Sequence, residues 1–404
     1  MQFTEREFIP VLLGGDINTY SVARAFYDKY QAKVYIFGKS ATGPSYQSRI
    51  IEYTPNKAID TDEVFLETVN GFAREHADKT IVLVGCGDSY VALCAKHKNE
   101  LADNIIAPYI DFDLMDSLQQ KETFYGLCDK HGIDYPGTFI HSKEMGKDFE
   151  LGFPYPCILK PSNGIEYWEH PFPTQNKVYT IHNKEEMDKV LDDIYGAGYN
   201  DKLIIQDMIP GNDEYMRVLT SYSDHNGKVK MMCLGHVLLE EHTPHGLGNH
   251  ALIITEPNKD LMLRVKKLLE DLHYVGFSNF DIKYDSRDGK FKFFEINTRQ
   301  GRSNYYVTGS GFNVAEYIVE DYVYGKDMKF KVAKDEHLWT VVPKGVAFKY
   351  VKDPANLKKL KRLYKSGKVC NPNFMKGDLG MPRLARMVKQ HLSHYKKFKV
   401  YYHE

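Results

Sequence analysis

The stretch Phe277–Arg302 reads FSNFDIKYDSRDGKFKFFEINTRQGR. Two runs rich in β-forming residues flank the dipeptide Asp288-Gly289 in this stretch. Asp-Gly between two such runs is a strong hairpin signal, because these residues adopt the left-handed backbone that tight turns require. The sequence therefore predicts two antiparallel strands joined by a short loop at Asp288-Gly289.

The register of this hairpin is predicted from the side chains that it would bury. A two-residue turn would place Ile282 opposite Glu295 and mix apolar and charged residues on one face. A three-residue loop, with Gly289 as its left-handed residue, places Asp281 opposite Glu295 instead. We favour the second register, because a slip of one residue turns every side chain to the other face. Its apolar face carries Phe280, Ile282, Phe294 and Ile296, and its polar face carries Asp281, Glu295 and Asn297.

The polar face of the hairpin indicates a site for a divalent cation. Carboxylates paired across strands repel each other, so the arrangement usually requires a cation between them. Oxygen ligands from Asp281, Glu295 and Asn297 suit Mg²⁺ or Mn²⁺. Arg299 follows on the same face, where it could neutralise a developing anion. The alternative is a solvent-facing strand whose acids happen to alternate.

Two lysines and a polar turn support the metal interpretation. Lys160 ends an apolar strand and precedes Pro161-Ser162-Asn163-Gly164, a loop able to point backbone N–H groups at phosphates. Lys121 lies in a helix predicted for about 113–130. Either lysine alone is more often a surface residue. The segment 206–214 (QDMIPGNDE) leaves the interior as a strand, and its edge offers an N–H and a C=O to an adenine ring.

The first hundred residues alternate strands with helices, which predicts a parallel sheet covered by helices. The predicted strands are 8–13, 33–38 and 80–85, and a helix is predicted at about 61–76. Gly14, Gly15 and Asp16 follow the first strand at its carboxyl end, where such sheets bind ligands. They are candidate substrate contacts, although a tight strand–helix turn also needs glycine.

Composition places the chain among ordinary globular proteins. Of its 404 residues, 43% are hydrophobic and 13% aromatic, which argues against disorder. We find neither a run of about 18 apolar residues nor a signal-peptide core. The six cysteines contain no CxxC pair, which fits reduced thiols, so we expect a cytoplasmic protein.

The C-terminal part of the chain is strongly basic. From Thr340 onward, 16 lysines and arginines accompany only three acids. This tail predicts an anionic partner, such as a phosphorylated substrate, an acidic surface or nucleic acid. The alternative is a solvated basic face that balances the acidic remainder of the chain.

In their order along the chain, these motifs resemble the ATP-grasp superfamily of carboxylate–amine ligases. The matching segments are QQKETFYGLCDKHGIDYPGT around Lys121, PCILKPSNG around Lys160, LIIQDMIPGNDEY, FSNFDIKYD and FFEINTRQG. The resemblance covers about residues 8–330 and implies an α/β (α+β) chain. Its expected parts are a parallel α/β pre-ATP-grasp domain (1–110), an ATP-grasp N-terminal subdomain with a lid (111–205), a C-terminal subdomain with the metal site (206–330) and a small basic C-terminal subdomain (331–404).

The resemblance also implies roles for single residues. Lys121 and Lys160 would contact the phosphates of ATP, with Lys160 acting in catalysis. The metal ligands would be Asp281, Glu295 and Asn297, holding two Mg²⁺ ions or Mn²⁺. Arg299 would steady the acyl phosphate or the tetrahedral intermediate. The remaining nucleotide contacts would be Ser162 and Gly164 at the phosphates, Gln206, Asp207, Met208 and Ile209 at adenine, and Glu214 at the ribose.

The segment 161–170 (PSNGIEYWEH) would form the phosphate loop of the family. It departs from the family pattern, because the triphosphate loops of these enzymes are usually richer in glycine. The resemblance further implies that a lid formed by 161–200 excludes water from the acyl phosphate.

The opening FIPVLLGGDINTYSVARAFYDKY is similar to the D-aspartate ligases of Gram-positive cell-wall synthesis. That family joins an amino acid to the lysine side chain of a peptidoglycan precursor. The resemblance implies that ATP converts the carboxylate of D-aspartate, or of a similar amino acid, to an acyl phosphate, which the amine of an anionic acceptor then attacks. We expect no nucleic-acid partner, and we leave open an oligomer and a peripheral contact with an anionic membrane surface.

Two alternative functions stay open at this point. The first is a ligase that makes a free dipeptide or another small amide. The second is a basic-tail module that binds nucleic acid or a membrane surface without catalysis, through a helix near Ala355–Lys365 that presents Leu357, Leu360 and Leu363.

A few further residues carry weaker signals. The stretch 241–250 (EHTPHGLGNH) matches no structural zinc pattern and is predicted to be a substrate-contacting loop. Arg217 and Arg302 are candidates for binding anionic substrate groups, with surface ion pairs as the alternative. Trp168 and Trp339 are predicted to be packing residues.

Overall fold

The computed structural model describes residues 1–402, which form strands and helices in alternation. The strands are β1 (Phe8–Leu13), β2 (Val34–Gly38), β3 (Ile51–Pro55), β4 (Thr80–Gly85), β5 (Ile105–Ile106), β6 (Thr138–His141), β7 (Cys157–Pro161), β8 (Tyr179–Ile181), β9 (Leu203–Asp207), β10 (Met216–Ser223), β11 (Val229–Glu241), β12 (Asn249–Thr255), β13 (Gly276–Asp285), β14 (Lys290–Asn297), β15 (Lys331–Val332), β16 (Leu338–Thr340) and β17 (Val369–Cys370). The α-helices are α1 (Ile17–Tyr30), α2 (Asp62–Glu75), α3 (Asp88–Lys96), α4 (Phe112–Gln119), α5 (Lys121–His131), α6 (Gly164–Glu169), α7 (Lys184–Gly196), α8 (Lys259–Asp271), α9 (Tyr305–Gly309), α10 (Val314–Ile318), α11 (Lys344–Tyr350), α12 (Pro354–Ser366) and α13 (Met381–Tyr401).

Contacts between residues group the chain into two compact units. The larger unit takes 1–133, 212–283 and the chain from Glu295 onward, and the smaller unit takes 134–211 and 284–294. Both units are discontinuous in sequence, whereas the sequence predicts four consecutive segments. That four-part division stays a prediction.

The larger unit begins with the parallel sheet that the sequence predicts. Its strand order is β3-β2-β1-β4-β5, and every neighbouring pair is parallel. Helix α1 starts directly after β1, where the Asp16 side chain accepts a hydrogen bond from the Thr19 N–H at 3.2 Å. Such a cap satisfies a donor that the first turn of a helix leaves unpaired. Asp16 therefore fixes the strand–helix turn that the two preceding glycines permit.

An eight-stranded sheet forms the rest of the core of the larger unit. Its strand order is β14-β13-β10-β11-β12-β16-β17, and β15 pairs with β11. The last two strands of this order lie beyond Lys331, and Trp339 in β16 is 1% exposed. The residues from Lys331 onward therefore contribute strands to the sheet of the larger unit, and the predicted boundary at 331 stays a prediction.

The smaller unit contains an antiparallel sheet with the order β6-β9-β7-β8. Helices α6 and α7 accompany it, and Tyr167, Met187 and Leu191 contribute to its core. These two helices and β8 lie within 161–200, which shows no clear pattern in the sequence. Trp168 is 55% exposed, so its predicted role in packing is wrong.

The helix predicted for about 113–130 is divided in two. Helix α4 ends at Gln119, Gln120 has an extended backbone, and α5 begins at Lys121. Gly132 adopts the left-handed conformation that ends α5, as predicted. No glycine or proline marks the break at Gln120, so its position is not evident from the sequence. None of the described helices is both long and apolar enough to cross a bilayer.

Candidate active site

The hairpin that the sequence predicts consists of β13 and β14, which are neighbours in the eight-stranded sheet. Four residues separate the strands, one more than predicted, and the Gly289 N–H donates to the Asp285 carbonyl at 2.9 Å. Gly289 has φ +74°, the left-handed conformation that the sequence indicates. The turn therefore ends at Gly289, as predicted, but it has four residues where the sequence predicts three.

The burial pattern of the hairpin departs from the prediction in one place. Phe280, Ile282 and Ile296 are buried as expected. Phe293 is also buried, while Phe294 is only partly so. Buried positions three residues apart break the strict alternation of a strand, on which the prediction relied. The pairing of Asp281 opposite Glu295 stays a prediction.

The polar side chains of the hairpin lie together in the larger unit. Asn297 donates a hydrogen bond from Nδ2 to Asp281 Oδ2 at 3.1 Å. Glu295 accepts from Lys121, whose Nζ lies 3.0 Å from Glu295 Oε2. Burial, followed by the negative charge of Glu295, raises the pKa of Asp281 above its usual value. These four residues combine two interacting carboxylates, one amide and one ammonium group.

Arg299 connects this cluster to the N-terminal parallel sheet. Its Nε and Nη2 atoms lie 2.6 and 3.1 Å from the two carboxylate oxygens of Asp88, the first residue of α3. Nη2 also donates to Asn297 Oδ1 at 3.4 Å. The side chain of Gln300 donates to the Gly85 carbonyl at 3.0 Å and so holds this segment against the end of β4. Burial lowers the pKa of Arg299, but the ion pair with Asp88 outweighs it and the pKa is raised.

Asp88 is a member of this cluster that the sequence analysis did not identify. It follows β4 by three residues, at the carboxyl edge of the parallel sheet. Ligand-contacting side chains commonly lie at that edge. The same rule that selects Gly14, Gly15 and Asp16 after β1 could therefore have selected Asp88.

The donor set of the cluster fits a hard divalent cation. Two carboxylates and an amide oxygen are ligands that Mg²⁺ accepts, with waters and phosphates completing its shell. The like charge that raises the pKa of Asp281 is what a bound cation would relieve. Within residues 1–402, no group of three or more His, Cys, Asp or Glu side chains is placed to hold a metal ion. A cation at Asp281 and Glu295 would therefore depend on Asn297 and on its substrate for further ligands.

The predicted substrate residues after β1 line a cavity in the larger unit. Gly14, Gly15 and Asp16 surround it together with Lys39 and Tyr53, and its volume is about 270 Å³. That volume is close to the lower end of what small-molecule sites usually have.

The two arginines proposed for anion binding differ in their environments. Arg217 donates from Nη1 to the carbonyls of Glu214 and Met216 at 3.0 and 2.9 Å. Arg302 donates from Nη2 to Glu241 Oε1 at 3.4 Å. The Nη1 atom of Arg302 is buried and has no hydrogen-bond partner among residues 1–402. Arg302 therefore retains a donor for a ligand, whereas Arg217 donates to the backbone of neighbouring residues and lies 4.0 Å from the Glu256 carboxylate.

Glu214 has a structural environment that the sequence did not indicate. Its carboxylate accepts hydrogen bonds from the N–H groups of Lys352 and Asp353 at 2.7 and 3.0 Å. The Asn356 side chain donates a third at 2.7 Å. These contacts fix the start of α12, and a ribose would have to compete with them. The geometry thus favours a structural role for Glu214 over the predicted ribose contact.

The stretch 241–250 joins the ends of β11 and β12, and its residues 242–248 form the connecting loop. Glu240 and His250 are paired across these strands, with Oε1 and Nε2 3.8 Å apart. Burial raises the pKa of Glu240 to about 8 and lowers that of His250 to about 4. Both side chains are therefore uncharged at neutral pH or slightly below it.

The smaller unit carries the other residues predicted to contact the nucleotide. Lys160 lies in β7, and Gly164 is the first residue of α6. Ser162 donates from both its backbone N–H and its hydroxyl to the Lys202 carbonyl, at 3.0 and 2.7 Å. The Asn163 N–H donates to the Tyr199 hydroxyl at 3.2 Å. These two backbone donors therefore bind the protein itself, where the sequence predicts that they face phosphates.

The segment predicted to contact adenine ends β9. Gln206 is buried and donates to Thr138 Oγ1 at 3.0 Å. Asp207 forms a two-pronged ion pair with Arg287, at 3.0 and 2.5 Å. Beyond the strand, Met208 is 37% exposed and Ile209 is buried. Arg287, on the hairpin loop, is a partner that the sequence analysis missed.

Comparisons with known proteins place these observations in a family. A search against models of protein families gave no match. The chain is 38% identical to a D-aspartate ligase of Enterococcus faecium (strain Aus0004) over 409 residues, which span 98% of this chain and 97% of that protein. The chain belongs to the D-aspartate ligase family. As a member of that family it is an ATP-dependent carboxylate–amine ligase, an enzyme that forms carbon–nitrogen bonds.

Solved structures confirm the fold of this D-aspartate ligase family member. The L-amino acid ligase from Bacillus licheniformis is 15% identical with a TM-score of 0.55, over 79% of this chain and 75% of that one. The N5-carboxyaminoimidazole synthetase from Staphylococcus aureus is 15% identical with a TM-score of 0.59, over 84% and 83%. At this identity the likeness shows the fold alone. The fold is the α/β ATP-grasp fold that the motifs predict.

Proposed function

We propose that this ligase attaches D-aspartate, or a similar amino acid, to the lysine side chain of a peptidoglycan precursor. The observation that carries this proposal is the 38% identity to a D-aspartate ligase over nearly the whole chain. The cluster around Asp281 supports this proposal, because it combines carboxylates that can bind Mg²⁺ with the positive charges of Lys121 and Arg299. Since the reaction consumes ATP, we place it in the cytoplasm.

The proposed reaction has two steps. An oxygen of the amino-acid carboxylate attacks the γ-phosphorus of ATP, ADP leaves, and an acyl phosphate forms. The uncharged amine of the acceptor then attacks the acyl carbon, phosphate leaves, and the amine gives up a proton. Activation is required because a carboxylate and an amine do not condense in water.

Asp281, Glu295 and Asn297 are proposed to hold the magnesium of the nucleotide. A bound Mg²⁺ supplies neutralisation of the phosphoryl charge and orientation of the attacking oxygen. Two ions, and Mn²⁺ in place of Mg²⁺, remain part of this proposal. The ammonium group of Lys121 lies 3.0 Å from Glu295 Oε2. If Glu295 held Mg²⁺, this ammonium group would be available to contact a phosphate.

Arg299 and Arg302 are proposed to bind the anionic groups of the reaction. Asp88 fixes the Arg299 guanidinium through two contacts, so little of its conformational freedom remains to be lost when an acyl phosphate forms. The unpartnered Nη1 of Arg302 fits a carboxylate of the amino-acid substrate. Gly14, Gly15 and Asp16 are proposed substrate contacts at their cavity.

The nucleotide contacts of the smaller unit rest on the resemblance to the superfamily. Lys160 and Gly164 are proposed at the phosphates, and Asp207 with the Met208 and Ile209 backbone at adenine. The contacts made by Gln206 and Ser162 within the chain make these two residues weaker candidates.

The test is an assay of ADP release with ATP, Mg²⁺, D-aspartate and a nucleotide-linked pentapeptide. The pentapeptide contains a lysine whose side-chain amine is free. We expect release that requires both substrates, and a product heavier than the pentapeptide by one aspartyl residue. The matched control replaces the lysine of the pentapeptide by Nε-acetyl-lysine, whose amide nitrogen cannot attack the acyl phosphate. Release with two free amino acids and no pentapeptide would instead identify a ligase of small amides. No acceptor-dependent release across a panel of amino acids would contradict the proposal.

A further inference from the structure

The terminal helix α13 has apolar side chains on two sides. One side is buried and includes Met387 and Phe398. The other side is exposed and carries the residues that we call the α13 stripe: Met381, Val388, Leu392 and Tyr395. Their exposed fractions are 80%, 38%, 53% and 49%. Their spacing of seven, four and three residues aligns them along one line of the helix.

The charges beside the α13 stripe have a single sign. From Met381 to Tyr401 the helix contains six lysines and arginines and no acidic residue. Lys389, Lys396 and Lys399 are exposed, and none of them has a carboxylate partner among residues 1–402. An apolar line with unpaired cations along one side and at its C-terminal end is complementary to a surface that is apolar inside and anionic outside.

This complementarity decides between two ways of covering the α13 stripe. A second copy of the chain, packed stripe against stripe, would bring lysines next to lysines and would be opposed by their repulsion. A bilayer that contains anionic lipid offers phosphate groups to the lysines and acyl chains to the apolar side chains. Amphipathic helices with lysine on the polar flanks and large apolar residues between them bind in this way.

We propose that the α13 stripe, with Lys389, Lys396 and Lys399, binds the surface of a bilayer containing anionic lipid. The site differs from the helix near 355–365, which one of the alternative functions left open by the sequence uses for surface binding. In that helix, α12, Leu360 and Leu363 are buried in the core and Leu357 packs against it, so its apolar face is not at the surface. The basic tail thus uses one amphipathic helix to complete the core and presents another outward.

The test is co-sedimentation of the full chain with vesicles of phosphatidylcholine, with or without phosphatidylglycerol. We expect binding that requires phosphatidylglycerol and weakens as salt is added. The variant Lys389→Gln/Lys396→Gln/Lys399→Gln should lose about 100-fold in partitioning, at about fivefold for each lysine. The matched control, Lys259→Gln/Lys331→Gln/Lys334→Gln, removes the same charge from exposed lysines outside α13 and should bind within about threefold of the unmodified chain. The variant Val388→Gln/Leu392→Gln tests the apolar contribution and should also bind more weakly.

Three outcomes would overturn the proposal. They are equal binding to vesicles without phosphatidylglycerol, equal loss in the two lysine variants, and vesicle binding unaffected by Val388→Gln/Leu392→Gln. A concentration-dependent dimer that Leu392→Gln dissociates, without vesicle binding, would assign the stripe to a second copy. ADP release measured without vesicles should be unchanged in all these variants, which separates a lost surface from a lost fold.

Discussion

At the residue scale, the chemistry of the cluster depends on two carboxylates that are close enough for one to shift the pKa of the other. Glu295 raises the pKa of Asp281 on top of the effect of burial. Lys121 and Arg299 supply positive charge beside them. Without a bound cation, the repulsion between the two carboxylates destabilises the folded chain. A bound cation relieves that repulsion, so the same arrangement favours cation binding.

The first prediction concerns Glu295→Gln. We expect turnover to fall by at least about 100-fold, because an amide binds Mg²⁺ more weakly than a carboxylate does, and the bound cation is what neutralises the phosphoryl charge. We expect the free energy of unfolding to stay equal or to rise, because the charge that opposes ionisation of Asp281 is gone. ADP release and urea unfolding measure the two quantities. Glu52→Gln, at an exposed surface ion pair, is the control that should behave as the unmodified chain. Turnover within tenfold of normal would contradict a metal role for Glu295.

The second prediction concerns the pH dependence of stability. The pKa of His250 is about 4 in the folded chain, below its usual 6.5, because burial and then Arg302 disfavour the charged ring. The stabilising effect of a neutral His250 is therefore present above pH 6.5 and is lost as the pH falls towards 4. Between pH 7 and pH 4.5 the loss from this group is on the order of 2 kcal/mol.

Urea unfolding at the two pH values measures this loss. His250→Asn should lose less stability than the unmodified chain on acidification, and His182→Asn, at an exposed position, should lose as much. An equal loss in His250→Asn and the unmodified chain would show that other groups govern the acid sensitivity.

At the scale of the elements, most strands and helices with a regular apolar pattern are predictable from the sequence. The predicted strand 33–38 and helix 61–76 appear as β2 and α2, each within a residue or so of the expected bounds. The break between α4 and α5 is not predictable, because Gln120 has no intrinsic preference for an extended backbone. The same holds for the contacts of Glu214, since its partners lie more than a hundred residues further along the chain.

The third prediction separates the two roles considered for Glu214. Because three hydrogen bonds to its carboxylate fix the start of α12, Glu214→Gln should lower the free energy of unfolding by about 2 kcal/mol. The Michaelis constant for ATP should change less than about threefold, whereas loss of a ribose contact would raise it by about tenfold or more. Glu185→Gln, exposed in the first turn of α7, is the control for both measurements. A raised Michaelis constant with unchanged stability would restore the ribose contact.

At the scale of the whole molecule, a buried ion pair near the C-terminus accepts hydrogen bonds from the N-terminal part of the larger unit. Asp378 accepts hydrogen bonds from Tyr20 at 2.6 Å and from Ser48 at 2.9 Å. Its carboxylate lies 3.3 Å from Arg383, and both side chains are almost fully buried. The sequence marks the tail as basic but gives no sign that one of its arginines is in the core, because burial of a charge depends on a partner elsewhere in the chain.

The fourth prediction follows from this pair. Asp378→Asn should lower the free energy of unfolding by about 3–5 kcal/mol, since it leaves the Arg383 charge buried without a counter-charge. The double variant Asp378→Asn/Arg383→Met should recover part of that loss. Urea unfolding of Asp378→Asn, Arg383→Met and the double variant tests the coupling, with Asp353→Asn as a control for a structural aspartate that caps a helix. Losses that simply add would show that the two side chains act independently.

The position of β16 and β17 has a consequence for synthesis of the protein. On the ribosome, β12 has no neighbour on one side until Leu338–Thr340 has emerged, so the nascent sheet keeps an open edge until most of the chain is translated. A premature stop codon upstream of Leu338 would make that edge permanent. Open edges pair with other chains, and such truncated products should therefore aggregate instead of folding into a smaller enzyme.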